Sequence, residues 1–466
     1  MTPKTLFVLL GWLVLLNGLA AQTLTVDAIA FNGLKRTKLS VAEREMNLRT
    51  GDTIHLSNLQ NRLDENELLL LNSSLFNAVE INVADWDQSA NRIALEVRVE
   101  ETNYFYVAPI AALVDRNLNV WWEEFGGSLR RVNFGGIAYH TNLTGRRDNL
   151  KAMAQFGFSQ RYQLRYRLPG INRAQTIGLE VEGFLQRNRE LGFDTRNNIL
   201  AFQRTDDRFL LRRLRTSATL LYRPGLRVRH RFAAQFRRFR IDPFLQELNP
   251  DFLANGTLQR YFSLAYSLET DQTDVRPYPT AGYRISGELR KDGLGAFDDG
   301  VNSATLRATV RKFFPLTEKW SGELSAGGKY QFIREQQPYY LLSRALGYDD
   351  DYLRGYELYV TDGQDFVFGK QTLRYRLFDK TFSVGKIMPL KNMRSVPWRL
   401  YLKAYADQGY VNNPYYADTN DLSNRWLRSY GLGVDLVLYY NFVFQFELSR
   451  NDLKETGLFI HIETSF

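Results

Sequence analysis

Two neighbouring stretches, DNLKAMAQFGF (Asp148–Phe158) and RYQLRYRLPG (Arg161–Gly170), decide how this chain folds. In the first, Leu150, Ala152, Ala154, Phe156 and Phe158 alternate with Asn149, Lys151, Gln155 and Gly157. In the second, Tyr162, Leu164, Tyr166 and Leu168 are opposed by Gln163, Arg165 and Arg167. Alternation with a period of two places each set on one face of a β-strand. GLRVRHRF (Gly225–Phe232) and FQFELSRN (Phe444–Asn451) repeat the scheme. These segments exceed the about five to six residues usual for strands in soluble sheets. Their polar faces carry Arg, Lys and Gln, which a water-filled lumen accepts.

A strand that crosses a membrane needs about nine to eleven residues. From Tyr104 to the end, about 22 residues per strand and turn give about sixteen strands, an even number as closed bacterial barrels require. A soluble β-sandwich is the alternative fold for such a pattern.

The rest of the composition narrows the class. The amino terminus, MTPKTLFVLLGWLVLLNGLAAQ, has a basic Lys4, an apolar run from Leu6 to Leu16 and small residues at Gly18, Ala20 and Ala21. That is the build of a secretory signal peptide over residues 1–21. No later segment reaches the about 18 apolar residues of a membrane helix. The 466 residues include no cysteine, which excludes both a disulfide scaffold and a lipid anchor on an N-terminal cysteine. A net charge of +9 would suit a nucleic-acid partner, but the arginines alternate with apolar residues and the chain is exported. The four histidines, His55, His140, His230 and His461, are far apart in sequence, and no nucleophile, metal-ligand or phosphate-loop pattern stands out. An enzyme and a bound cofactor are therefore not expected.

Residues 22–101 read as a separate small α+β unit. TLTVDAIAFNGLKR is a strand that turns at Asn32-Gly33. KLSVAEREMNLRTGD reads as a helix with Ser40 as N-cap, Glu43 completing a capping box and Gly51 as the stop. A second helix is expected after Ser57, with Leu59, Leu63, Leu68–Leu71 and Leu75 on its apolar face. FNAVEINVADW and NRIALEVRVEE close the unit as two strands, giving the order β-α-α-β-β. With TGD between the helices and LFNAVEINV entering the second strand, this segment resembles a POTRA domain. The resemblance implies a periplasmic module of an outer-membrane assembly or secretion protein.

A POTRA-like unit ahead of a barrel over residues 102–466 resembles the BamA/TamA/FhaC superfamily. The most specific part of that likeness is LGYDDDYLRGYELYVTDGQ (Leu346–Gln364), where Leu353-Arg354-Gly355-Tyr356 matches the family's (V/L/I)RG(F/Y) loop motif. The resemblance implies that this loop folds back into the lumen and that Arg354 meets an acid on the wall. An arginine fork can bind a carboxylate with two hydrogen bonds, and a glycine beside it permits close approach. WRLYLKAYADQGYV supplies the acid: Leu400, Leu402, Ala404 and Ala406 form the lipid-side set, so Tyr401, Lys403, Tyr405 and Asp407 face the lumen. Asp407-Gln408-Gly409 matches the family's DxG pattern. Asp407 could instead pair with Lys403 on its own face. The family usually has a second acid on the preceding strand, where GKQTLRYRL places Arg374. Asp407 then acts alone, or Arg374 has its own acid, or the alignment is shifted by a strand. The carboxyl-terminal GLFIHIETSF puts Leu458, Ile460, Ile462 and Phe466 on one face after Gly457, resembling the signal by which barrel precursors are recognised. This strand would meet Tyr104–Leu113 at a lateral seam.

The resemblance implies an outer-membrane factor that inserts or folds β-barrel clients, with outer-membrane lipid, unfolded client proteins and accessory subunits as partners. The alternatives are a secretion pore that exports a partner protein, and a plain porin. The basic clusters in RRLRTSATLLYRPG and FRRFRIDPFLQELNPDF could line the lumen or meet anionic lipid headgroups at loop bases.

Overall fold

The computed structural model describes residues 23–113, 126, 128–129, 132–297, 300–334, 339–348, 351–383, 395–438 and 442–464. Residues 1–21, read from sequence as a signal peptide, and Phe466 lie outside the described residues. The chain divides into two compact units, Met1–Asn103 and Tyr104–Phe466, two residues beyond the boundary read from sequence.

In the first unit β1 (Thr23–Asn32), α1 (Leu39–Arg44), β2 (Thr53–His55), α2 (Leu59–Leu71), β3 (Phe76–Asp87) and β4 (Arg92–Glu101) follow in order. The sheet runs β2-β1-β4-β3, with β1 parallel to β4 and the other pairs antiparallel. The expected β-α-α-β-β order is present, with β2 added as a three-residue edge. Val26, Met46, Leu63, Leu70, Ile93 and Val97 are buried in its core.

The helix boundaries differ from expectation. Lys38 is the N-cap of α1 and makes no side-chain capping bond, so Ser40 lies inside the first turn. Ser57 belongs to a short 3₁₀ turn, and Asn58 precedes α2, also without a side-chain cap. The first helix stops at Arg44, well before Gly51. The physical reason is at Asn66, whose side-chain oxygen accepts from the backbone N–H groups of Asn47 (2.8 Å) and Leu48 (3.2 Å). A side chain there takes over bonds that a longer helix would have made internally.

The second unit is built of β5 (Phe105–Leu113), β6 (Val132–His140), β7 (Asn149–Gly157), β8 (Ser159–Leu168), β9 (Ile177–Asn188), β10 (Glu190–Arg196), β11 (Ile199–Arg204) and β12 (Leu211–Tyr222). It continues with β13 (Val228–Ile241), the short helix α3 (Pro243–Leu248), β14 (Leu258–Asp271), β15 (Gly282–Asp292), β16 (Ser303–Pro315), β17 (Trp320–Ile333), β18 (Arg344–Leu346) and β19 (Thr361–Asp362). The last strands are β20 (Asp365–Ser383), β21 (Ser395–Asn412), β22 (Trp426–Leu438), β23 (Phe442–Asn451) and β24 (Thr456–Thr464). Setting aside the small hairpins β10–β11 and β18–β19, the strands form one antiparallel sheet of sixteen in chain order from β5 to β24.

The alternation behaves as a membrane barrel demands. On β21 Leu402 is 43% exposed, whereas Tyr401, Lys403, Tyr405 and Asp407 are buried. An outward row of apolar side chains over an inward row of charges is stable when hydrocarbon surrounds the sheet. Leu164 on β8 and Leu458 and Ile460 on β24 are likewise exposed. Phe158 departs from its expected face: Gly157 has φ +104° and ends β7, so Phe158 sits in the tight turn before β8 and is buried. The sheet curls around a lumen. Tyr278, in the turn between β14 and β15, donates to Asp435 on β22 at 2.7 Å.

Candidate functional site

Between β17 and β20, residues 339–348 and 351–364 turn into the lumen, where apolar side chains beside the tip pack on the wall and the flanks are tied down. Ala345, Leu346, Leu353 and Tyr356 pack with Phe366, Val411, Leu422 and Leu427 of the wall and a neighbouring loop. Tyr348 donates to Asp362 at 2.5 Å, and Lys329 Nζ donates to the Arg344 carbonyl at 2.7 Å. These contacts hold both ends of the segment and leave Leu353–Tyr356 as its inner tip.

At that tip Arg354 Nε donates to Asp407 Oδ2 at 2.9 Å and its Nη2 donates to Oδ1 at 2.5 Å. The backbone N–H of Arg354 reaches the same Oδ2 at 3.0 Å, and Nη1 donates to Thr372 Oγ1 at 3.1 Å. The guanidinium also lies 4.0 Å from the Tyr405 ring centroid. The arginine side chain is 10% exposed and the Asp407 side chain 0%. A buried pair with this many bonds is strongly coupled, because losing one partner strands the other's charge.

Gly355 has φ +88°, and an added Cβ would sit 3.1 Å from the Ser449 Cβ and 3.2 Å from the Ser429 Cβ. Backbone and wall therefore touch where the loop meets β22 and β23. The Gly355 carbonyl accepts from Asn451 Nδ2 at 2.9 Å. Tyr356 donates to the Arg428 carbonyl at 3.2 Å. Gly409 gives Leu353 its seat, since a Cβ there would lie 2.9 Å from Leu353 Cδ1.

Lys403 does not pair with Asp407. Its Nζ is 2.6 Å from both Asp435 Oδ1 and Glu447 Oε1. Arg374 has its own acid, Glu323 on β17, which also accepts from Arg311 at 2.8 and 3.0 Å. Arg374 further donates to the Pro279 carbonyl at 3.0 Å and lies over the Tyr278 ring. The cation on the neighbouring strand is thus neutralised locally and leaves Asp407 to Arg354. Tyr278 joins the two groups, since its hydroxyl binds Asp435.

Sequence reasoning named Arg354 and Asp407 but not Glu447, Asp435, Glu323 or Glu357. Glu447 also approaches Arg354, with Oε1 3.9 Å from Nη1. The signal for Glu447 was available, because it alternates with Phe446 and Leu448 in FQFELSRN as Asp407 alternates with Ala406. Glu357, Glu447 and His461 bring one ligand atom each within 4.8 Å of one another, the grouping among the described residues best disposed to hold a cation. His461 Nε2 is 3.4 Å from Glu447 and 3.6 Å from Glu357, linking the loop to β24.

Of β24, His461 joins this cluster, whereas Gly457, Leu458 and Ile460 do not. Gly457, Leu458, Ile460 and Ile462 lie on β24, which pairs with β23 along its length. Strands β5 and β24 stand at the two ends of the described ladder order.

The family model described as POTRA, surface antigen variable number repeat, matches residues 24–102. No curated protein sequence matches the chain. Among solved structures it resembles BamA from Haemophilus ducreyi lacking POTRA domains 1–3, at 14% identity and a TM-score of 0.53, covering 95% of this chain and 85% of that one. CdiB from Escherichia coli matches at 10% identity and a TM-score of 0.48, over 96% and 92% of the two chains. CdiB from Acinetobacter baumannii matches at 13% and 0.49, over 96% and 74%. The likeness to BamA is one of fold: a POTRA-like domain followed by a sixteen-stranded barrel sheet.

Proposed function

We propose, taking as premise a POTRA-like domain joined to a barrel of BamA fold, that this protein is an outer-membrane factor that inserts and folds β-barrel clients. The observation that carries the proposal is the loop pinned in the lumen by Arg354 and Asp407. A polypeptide crossing through the centre would have to withdraw that loop, separating Arg354 from Asp407 and unpacking Leu353 and Tyr356 from the wall. Work at the flank of the barrel leaves the loop in place. There, a client strand can satisfy backbone groups that hydrocarbon cannot.

The periplasmic unit supports the same assignment. Strand β3 is a twelve-residue edge whose described ladder partner is β4 alone. An extended client segment can add to such an edge through backbone hydrogen bonds that tolerate many sequences. One position is reserved, because the Ile81 N–H donates to Glu67 at 2.7 Å. The mechanism needs strand pairing and lipid contact, and no covalent step.

The test is reconstitution in lipid vesicles with an unfolded small barrel as client, followed by protease protection. The proposal expects faster client folding than in empty vesicles, and loss of that gain when residues 22–103 are removed. No acceleration with several clients, together with a steady ion current, would overturn it in favour of a pore.

A further inference from the structure

Where the lumen loop meets β23 and β24, three polar atoms are left over by the contacts that fix the loop. Each of two glutamates has one carboxylate oxygen committed elsewhere. Glu447 Oε1 lies 2.6 Å from Lys403 Nζ and 3.9 Å from Arg354 Nη1. Glu357 Oε2 accepts the Gly355 N–H at 2.7 Å. Their second oxygens, Glu447 Oε2 and Glu357 Oε1, are buried and form no hydrogen bond with a described residue, and the same holds for His461 Nε2. The Glu447 side chain is only 3% exposed.

The three residues come from three elements. On the antiparallel ladder Gln445 opposes His461 and Glu447 opposes Phe459, so His461 and Glu447 are diagonal neighbours on one face, within reach of long side chains. Glu357 follows the Arg354-Gly355-Tyr356 tip and is supplied by the loop. Tyr352 stacks on the imidazole with ring centroids 5.5 Å apart, which fixes the ring's plane. Cations nearby are engaged elsewhere: Lys403 and Arg354 lie toward the other oxygen of Glu447, and Lys370 Nζ lies 4.5 Å from the Tyr352 ring centroid.

The spacing separates two readings of this group. His461 Nε2 is 3.4 Å from Glu447 Oε2 and 3.6 Å from Glu357 Oε1. An imidazolium bonded to both carboxylates would draw them in to about 2.7–2.9 Å. Ligands about 2.0–2.2 Å from one tetrahedral zinc stand about 3.3–3.6 Å apart, since a tetrahedral edge is about 1.6 bond lengths. An imidazole nitrogen with carboxylate oxygens is a donor set for zinc-class ions, whereas magnesium and calcium take oxygen ligands. Two carboxylates turned toward one point also repel unless a cation lies between them.

We propose that Glu357, Glu447 and His461 bind one divalent transition-metal ion of the zinc class, which clips the lumen loop to the last two strands of the sheet. Three protein ligands leave a fourth position to water, and the His461 side chain, 24% exposed, leaves a way in. The clip holds β24, at one end of the ladder, by more than its pairing with β23. The site does not depend on whether the barrel inserts clients, and its test reads neither client folding nor ion current.

The experiment uses the full chain folded in phosphatidylcholine nanodiscs, stripped with EDTA, dialysed, and titrated with zinc chloride by calorimetry against empty nanodiscs as the blank. The wild type should take up one zinc per chain. His461→Gln and Glu357→Gln should each weaken that binding by more than about tenfold. His55→Gln, which alters an exposed side chain of the first unit, should leave it unchanged. Cobalt(II) in place of zinc should show the visible absorption of a four-coordinate ion. Zinc should also raise the urea midpoint of the wild type but not that of His461→Gln, as a ligand of the folded state does. No uptake by the folded wild type overturns the proposal without need of any variant, and leaves the three residues as an imidazolium bridge. Uptake of several ions, unchanged in His461→Gln, is adventitious surface binding and overturns it as well.

Discussion

Replacing Arg354 by alanine is the sharpest perturbation of the lumen site. The substitution removes the two guanidinium bonds to Asp407, the bond to Thr372 and the contact with the Tyr405 ring. It leaves the Asp407 carboxylate fully buried, with the Arg354 backbone N–H as its remaining donor from the loop. Breaking a buried pair in this way costs about 3–5 kcal/mol. Asp407→Asn should cost a similar amount, softened because Glu447 lies 3.9 Å from the guanidinium and can accept part of its charge. The double variant strands neither group, so its loss should fall short of the sum of the two by about 2 kcal/mol or more. Urea unfolding in lipid vesicles, followed by the heat-modifiable mobility of the barrel, measures all four corners of the cycle. Losses that add to within about 0.5 kcal/mol would refute the reasoning, since independent sites behave that way.

Gly355→Ala should lower barrel stability by about 1–3 kcal/mol, through its positive φ and the close Cβ atoms of Ser429 and Ser449; an unchanged urea midpoint would show that the loop does not rest on that wall. Lys403→Met removes the cation shared by Asp435 and Glu447, and should cost about 3–5 kcal/mol in the same assay. In the amino-terminal unit, burial pushes the Glu101 carboxyl up, but hydrogen bonds from Thr37 and Arg36 outweigh it and hold it below the ordinary 4.5. Its folded value is the lower one, so its stabilisation is present above about pH 4.5 and is lost as the pH falls through the folded value. Glu101→Gln should flatten that acid limb, read as the amide protection of Thr37 against pH; an identical limb in both proteins would assign the effect elsewhere.

Much of this architecture was legible because the strand period is unforgiving. Once Leu402, Ala404 and Ala406 face lipid, Asp407 has to face the lumen, and the same parity applied to FQFELSRN would have found Glu447. The pairing of Arg374 with Glu323 was not legible, because it depends on which strands become neighbours across a loop of thirty-odd residues. Local sequence also could not show that Asn66 would satisfy the Asn47 and Leu48 amides, which is why the first helix ends early. The outward arginines of β12 and β13 were visible as clusters, but that Arg212 lies opposite Arg240 required the register of the two strands. Period assigns a residue to a face, whereas partners follow from topology.

The proposed function requires that the Arg354-pinned loop close the lumen, leaving clients to be handled at the flank of the barrel. Ion conductance of the purified protein in planar bilayers tests it most directly. The wild type should pass small, flickering currents, and Arg354→Ala should show large, sustained openings. A steady, large current through the wild-type protein, unchanged by that substitution, would contradict it.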